Sequence, residues 1–279
     1  VPSNNERAEY GPIQLQKKAL LFDILSMSSH ENVVESEEPV PMEAVGQTFG
    51  LMLYSTKYTP KEEGSILSIS EVHDKAQVFV LCPSESNGGR PTYVGEIQRW
   101  SNKNLGLPSA KCTSAMTLFL LVENMGRVNY GPYIFDRKGI LSSVYLDRQA
   151  LHGWKMIPIP VDNLNNVLQK NSITQVADPT FARLSTMTNM EGDTEIIKEP
   201  ALYVGNFTVN KPKDTFLSFR GWGKGIAFVN DINIGRYWPS IGPQCNLYVP
   251  APYLRRGENV LAILELELSS PDRLVSSVR

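Results

Sequence analysis

The chain has 279 residues, with 27 Lys plus Arg against 29 Asp plus Glu and a net charge of −2. That length accommodates one large or two ordinary domains, and the near-neutral balance leaves no electrostatic footprint for nucleic acid or an anionic membrane. No apolar run reaches the roughly 18 residues of a transmembrane helix, and the polar Val1–Tyr10 carries no signal-peptide core, so a start without Met reads as a processed product or a piece of something longer.

Ile13–Leu25 places Leu15, Leu21, Phe22 and Leu25 after Pro12, a pattern that fits a short helix or a strand-like lead-in equally. Glu31–Pro41 is acidic and contains Pro; its cluster of Glu35, Glu37 and Glu38 reads as solvated linker. From Gln47 the chain turns to short runs rich in Val, Ile, Leu, Phe and Tyr, broken by Gly, Pro, Asn and Ser. Strands are predicted at Thr48–Ser55, Ala76–Leu81, Met116–Val122, Leu141–Leu146 and Trp154–Ile159, with Asn87-Gly88-Gly89 as a turn that needs positive φ. Val161–Lys170 shows Val161, Leu164 and Leu168 at helical spacing, followed by unpatterned polar sequence to about Lys198. Strands resume at Leu202–Val209, Thr215–Phe219, Gly225–Val229, Asn246–Val249 and Asn259–Leu266. In the last of these, alternation turns Val260, Ala262, Leu264 and Leu266 one way and Glu265 and Glu267 the other.

Many short strands with little helix predict an all-β chain of two tandem jelly-roll β-sandwiches. The expected division is a connector at residues 1–42, a first sandwich at 43–160, a linker with a short helix at 161–199 and a second sandwich at 200–279.

Two segments resemble each other: Leu-Val-Glu-Asn-Met-Gly-Arg-Val-Asn-Tyr-Gly at Leu121–Gly131 and Phe-Val-Asn-Asp-Ile-Asn-Ile-Gly-Arg-Tyr-Trp-Pro at Phe228–Pro239. Each puts a Gly-Arg pair after an apolar strand, roughly 100 residues apart, the length of one sandwich. Gly126 and Gly235 suit positions where the chain turns without a Cβ. Arg127 and Arg236 present a guanidinium fork that can clamp a carboxylate or backbone carbonyls.

The sequence has no nucleophile elbow, HExxH, P-loop or dinucleotide fingerprint. His30, His73 and His152 stand apart and read as surface or loop residues; no metal or cofactor is implied. Cys82, Cys112 and Cys245 allow at most one bridge, for which Cys82 with Cys112 is the favoured pair, against a simpler reading as buried thiols. Trp222, Tyr237, Trp238, Tyr248 and Tyr253 form the densest aromatic set, suited to stacking on a sugar but more often found filling a core. Asn206-Phe207-Thr208 is the one glycosylation sequon, with Asn206 and Thr208 opposite the apolar face of their strand.

At these same residues the chain resembles the glycoside hydrolase family 35 β-galactosidases. The matching stretches are Gly50-Leu51-Met52-Leu53-Tyr54, Val72-His73-Asp74-Lys75-Ala76, Leu121–Tyr133, Ala201–Thr208, Asp214–Gly225, and Val229–Pro250 with Leu261–Glu267. The resemblance implies galactose-binding-like β-domains from an enzyme that hydrolyses terminal β-galactosides. In that family the two catalytic glutamates lie on an N-terminal (β/α)₈ barrel, one as acid/base and one as nucleophile. This chain shows no barrel pattern, so it looks like the C-terminal accessory portion, inactive by itself, with the barrel as its partner and no catalytic Glu of its own. The resemblance also implies that Tyr130 reaches the galactose pocket, that Gly126, Arg127, Gly235, Arg236 and Trp238 are structural, and that the compartment is lysosome, vacuole or extracellular space. A departure is Asn230-Asp231, where such enzymes often have Asn-Gly. The alternative is a stand-alone galactoside-binding module of lectin type.

Overall fold

The computed structural model describes the chain except residues 1–5, 28–32, 84–88, 102, 110–111, 168–197, 243–244, 268–272 and 279. His30, the Asn87-Gly88 part of the expected turn, Leu168 and most of the 161–199 linker lie outside the described residues.

Contacts divide the chain into two compact units, Ser29–Pro160 and a discontinuous one made of Val1–Ser28 with Val161–Arg279. In chain order, β1 is Pro12–Leu20 and is followed by helix α1, Leu21–Met27. The two readings of this segment therefore each describe half of it. The first sandwich then holds β2 (Val34–Ser36), β3 (Leu51–Tyr58), β4 (Ser65–Ile69), β5 (Val72–His73), β6 (Lys75–Leu81) and β7 (Thr92–Gln98). It continues with β8 (Asn104–Leu107), β9 (Met116–Glu123), β10 (Gly139–Ile140), β11 (Val144–Leu146), β12 (Gln149–Ala150) and β13 (Trp154–Ile159). Helix α2 (Leu164–Val167) precedes β14 (Ala201–Val209), β15 (Thr215–Ser218), β16 (Gly225–Val229), β17 (Ile232–Tyr237), β18 (Asn246–Val249), β19 (Gly257–Glu265) and β20 (Arg273–Val278).

In the first sandwich a six-stranded sheet, β2-β13-β3-β9-β6-β7, accompanies a four-stranded sheet, β12-β11-β4-β8, and the short β10-β5 ladder. Alternate residues of β3, β6 and β9, namely Met52, Tyr54, Val78, Val80, Leu118 and Leu120, enter one core with Leu67 and Ile69 of β4 and Trp154 of β13. That alternation is the period-2 signal of strands with one face on a core. Part of the acidic stretch expected as linker is the edge strand β2, in which Glu35 lies opposite Lys155 of β13. Cys82 and Cys112 are bridged, which corrects the simpler reading of these two as buried thiols; their spatial approach follows from β6 lying beside β9.

The second sandwich is a single eight-stranded sheet, β17-β16-β19-β14-β1-β20-β15-β18. Its two end strands supply Tyr237 and Leu247 to the same core, so the sheet curls back on itself. β1 holds its halves together: Pro12–Leu15 pairs with β20, and Gln16–Leu20 pairs with β14 across a register shift. The stretch expected to be connector therefore contains an interior strand. Its apolar alternation is hard to read because Lys17 occupies the third inward position and is itself buried.

In β19, Leu261 and Ile263 belong to the core, and Glu265 shares their face, opposite Val260, Ala262 and Leu264, and is fully buried. Val260, Ala262 and Leu264 are buried as well. With both faces covered, alternation cannot identify the inner one. The Glu265 carboxylate accepts hydrogen bonds from the amides of Lys224 (2.9 Å), Gly223 (3.3 Å) and Glu267 (3.2 Å) and from the Tyr237 hydroxyl (2.9 Å).

The Asn230-Asp231 turn keeps its tight form, with φ of 48° and 76°. The Asp231 carboxylate also accepts from the backbone and side-chain nitrogens of Asn165, both at 2.9 Å, at the start of α2.

Candidate functional site: a clasped loop on the first sandwich

Between β9 and β10 the chain leaves the first sandwich as a loop. The β10-β5 ladder, which pairs Gly139 with His73 and Ile140 with Val72, brings the end of this loop beside the turn into β6. Asp74 and Asp136, distant in sequence, thereby meet Arg99 and Lys138. The Arg99 guanidinium lies 3.1 Å from Asp74 Oδ1 and 2.9 Å from Asp136 Oδ1. The Lys138 ammonium lies 2.8 Å from Asp74 Oδ2 and 2.8 Å from Asp136 Oδ2.

The lysine is wholly buried, a position an ammonium holds only when paired. Two cations against two carboxylates balance the group. Burial raises the Asp136 carboxyl, but Arg99 and Lys138 outweigh it and hold the group well below the usual carboxylate range. Burial opposes the charge on Arg99 too, and the same carboxylates reverse the effect. His73 joins through Nδ1, 2.9 Å from the Arg137 carbonyl and 3.3 Å from Asp136 Oδ1; facing a carbonyl, that nitrogen carries the proton.

Both feet of the loop are tied. At the first, Met125 N donates to Asp74 Oδ2 (2.8 Å), while Arg127 bonds the Glu43 carboxylate and the Thr48 carbonyl. At the second, Lys138 N donates to both oxygens of Glu43, at 3.1 and 3.0 Å. Burial pushes the Glu43 carboxyl up, and the bonds from Arg127 and the Lys138 amide outweigh it and lower it. Gly139 sits at φ 98°, and a Cβ there would collide with the Tyr54 hydroxyl, so the exit from the loop admits no side chain.

Between these feet the loop carries aromatic residues into solvent: Tyr130 is 89% exposed, Tyr133 78% and Phe135 91%. Trp100, 88% exposed, lies beside Arg99, whose guanidinium is 4.7 Å from its ring centre.

The two Gly-Arg segments share one local device. Gly126 N donates to Asn124 Oδ1 (3.0 Å), and Gly235 N donates to Asn233 Oδ1 (2.8 Å), with φ of 107° and 128° at the glycines. The asparagine two residues earlier is visible in both segments and is the signal that sequence reasoning misses. Beyond it the segments diverge: Arg127 clamps Glu43 and Thr48, whereas Arg236 is exposed on β17 opposite Ile226. Lys224 Nζ sits 3.9 Å over the Trp238 ring.

Two of the five aromatic residues singled out in the second sandwich, Trp222 and Tyr237, fill its core, and Tyr253 packs against it. Trp222 meets Tyr203 edge-on at 5.2 Å, and Tyr237 stacks on Phe219 at 4.4 Å. Tyr248 is half-exposed and donates to Asp214 Oδ2 at 2.6 Å. Asn206 is exposed on β14 and donates to Glu258 Oε1 at 3.1 Å. His152 is paired with Glu38 at 3.0 Å on the surface.

Residues 39–160 match the model of the beta-galactosidase first all-beta domain, and residues 200–259 match that of the beta-galactosidase galactose-binding domain. Beta-galactosidase 17 of Arabidopsis thaliana is 54% identical over 95% of this chain and 38% of its own length. Beta-galactosidase 8 of Oryza sativa subsp. japonica is 48% identical over 100% of this chain and 43% of its own, and the Macaca fascicularis beta-galactosidase is 34% identical over 96% and 38%. The chain thus spans about two fifths of the length of these relatives. It belongs to the beta-galactosidase family, of which it carries the first all-beta domain and the galactose-binding domain.

Proposed function

We propose that the chain is the accessory β-domain portion of an enzyme that hydrolyses terminal non-reducing β-D-galactosyl residues. In this reading a catalytic barrel elsewhere in the same polypeptide supplies both glutamates, and the clasped loop brings Tyr130 to the edge of its galactose pocket. The observation that carries the reading is the exposure of Tyr130 on a loop fixed at both feet. Its hydroxyl can bond a sugar oxygen while the ring packs on apolar surface. Nothing in the chain is assigned acid, base or nucleophile.

In the longer enzyme, Tyr130→Phe should lower kcat/KM for a β-galactoside by about tenfold, the worth of one lost hydrogen bond. An unchanged value removes Tyr130 from the site. The chain by itself should give no turnover of a chromogenic β-galactoside; authentic turnover would refute the division of labour.

Lysosome, vacuole or extracellular space fits the Cys82–Cys112 bridge, since structural disulfides persist in oxidising compartments. In such a compartment Asn206 is the expected glycan acceptor, and expression in a secretory host with and without Asn206→Gln tests it by a mobility shift on deglycosylation. A lectin-type module acting through Trp222 or Trp238 gains little support from the first of these, which is buried. Saturable millimolar galactose binding by the chain alone, measured by calorimetry, would restore it.

A further inference from the structure

Two carboxylates from separate elements each hold both feet of the Met125–Lys138 loop. Asp74 takes the Met125 amide at one foot and the Lys138 ammonium at the other. Glu43 takes the Arg127 guanidinium at the first foot and the Lys138 amide at the second. We infer that this double clasp fixes the form in which the loop presents Tyr130, making Asp74 and Glu43 positioning residues for that phenol. The functional half of the inference rests on the Tyr130 reading above; the mechanical half stands apart from it.

Residues 124–138 contain no helix or strand, and the side chains of Tyr130, Tyr133 and Phe135 project into solvent. Each freely moving residue gains about 1–2 kcal/mol of backbone entropy, so an unclasped loop would spread over many forms. The clasp opposes this where charges act strongly. The Lys138 ammonium has three hydrogen-bond donors and is surrounded by Asp74 Oδ1, Asp74 Oδ2 and Asp136 Oδ2. Asp74 is itself fixed through its backbone, donating to the Glu123 carbonyl at 3.0 Å and accepting from Arg99 N at 2.8 Å. The loop is therefore referred to the end of β9 and the residue after β7.

The test compares Glu43→Gln and Asp74→Asn with the unaltered chain by hydrogen exchange read by mass spectrometry. Peptides covering residues 124–138 should exchange about tenfold faster in each variant, with β3 and β9 unchanged. Unchanged exchange in that loop overturns the clasp. Should Asp74→Asn loosen the whole sandwich, Glu43→Gln decides alone, because its side chain lies at the partly exposed rim.

In the longer enzyme, Glu43→Gln should raise KM for a galactoside several-fold with kcat nearly constant, because only a fraction of loops is then competent to bind. Simple loss of folded protein would lower kcat at constant KM. Faster exchange with unaltered kinetics keeps the clasp and refutes the Tyr130 reading; a raised KM with unaltered exchange refutes the clasp.

Discussion

Replacing Glu265 by Gln tests whether a buried carboxylate, rather than apolar packing alone, anchors the loop before β16. The side chain is fully buried and accepts at least four hydrogen bonds: Oε1 takes Lys224 N and Glu267 N, and Oε2 takes Gly223 N and the Tyr237 hydroxyl. Glutamine preserves the shape but turns one oxygen into a donor. The less costly orientation puts its NH₂ at the Oε2 position, where the Tyr237 hydroxyl can rotate to accept and Gly223 N is orphaned. An orphaned buried donor costs about 1–3 kcal/mol, and the surviving bonds lose their charge assistance, offset by the easier burial of a neutral group. The net is about 2–3 kcal/mol, which at a typical urea dependence lowers the unfolding midpoint by roughly 1 M. Trp222 is the reporter, since it is buried next to Gly223 and lies edge-on to Tyr203 and Tyr237. Its emission should shift to the red at lower urea in the variant. A midpoint within the error of the unaltered chain would refute the anchoring role.

Reduction of Cys82–Cys112 opens a loop with a sequence separation of 30 and should destabilise the first sandwich by about 3.5 kcal/mol, measured as a lower urea midpoint in reductant. Asp231→Gly relieves the positive φ but removes both bonds to Asn165, so total stability should change by under about 1 kcal/mol while amides of α2 exchange faster. Burial pushes Tyr58 up to about 12 from an ordinary value of 10.0, so the unfolded chain ionises first and stability falls as pH rises from 10 towards 12. Tyr58→Phe should flatten that alkaline limb in urea titrations. At the acid end, the Lys61 hydrogen bond lowers Asp147 to about 2 from 3.8, so its contribution is present above pH 3.8 and lost as pH falls through 2. Asp147→Asn should remove that part of the acid dependence.

The fold is legible where one face of a strand is wet or where a turn residue punctuates the chain. Trp154–Ile159, Gly225–Val229 and Asn246–Val249 coincide with the strands observed, and the others overlap theirs with displaced ends. β2, β4, β5, β7, β8 and β17 escape sequence reading because they are short or carry polar residues on a half-exposed face, as in Thr92–Gln98. β1 is legible only as one of two alternatives because pairing on both sides, a tertiary fact, places a lysine inside the sheet.

The candidate site is legible only in part, and the reason is topological. Tyr130 can be singled out because it lies within one contiguous motif. Its supports are distributed over the short 3₁₀ turn Met42–Val45, the residue after β5, the end of β7 and the foot before β10, and no spacing rule joins Glu43, Asp74, Arg99 and Lys138. The two-residue β10-β5 ladder, the bridge of Pro41 with Gly139 and the backbone bond from Arg99 N to the Asp74 carbonyl bring them together. A short ladder contributes little stability by itself, so the ion cluster and the ladder each depend on the other. Loss of Lys138 would leave Asp74 and Asp136 facing each other with one fewer cation in a buried site, a cost of about 3–5 kcal/mol. The whole β9-to-β10 connection, and not Tyr130 alone, is therefore the unit on which substitutions should act together.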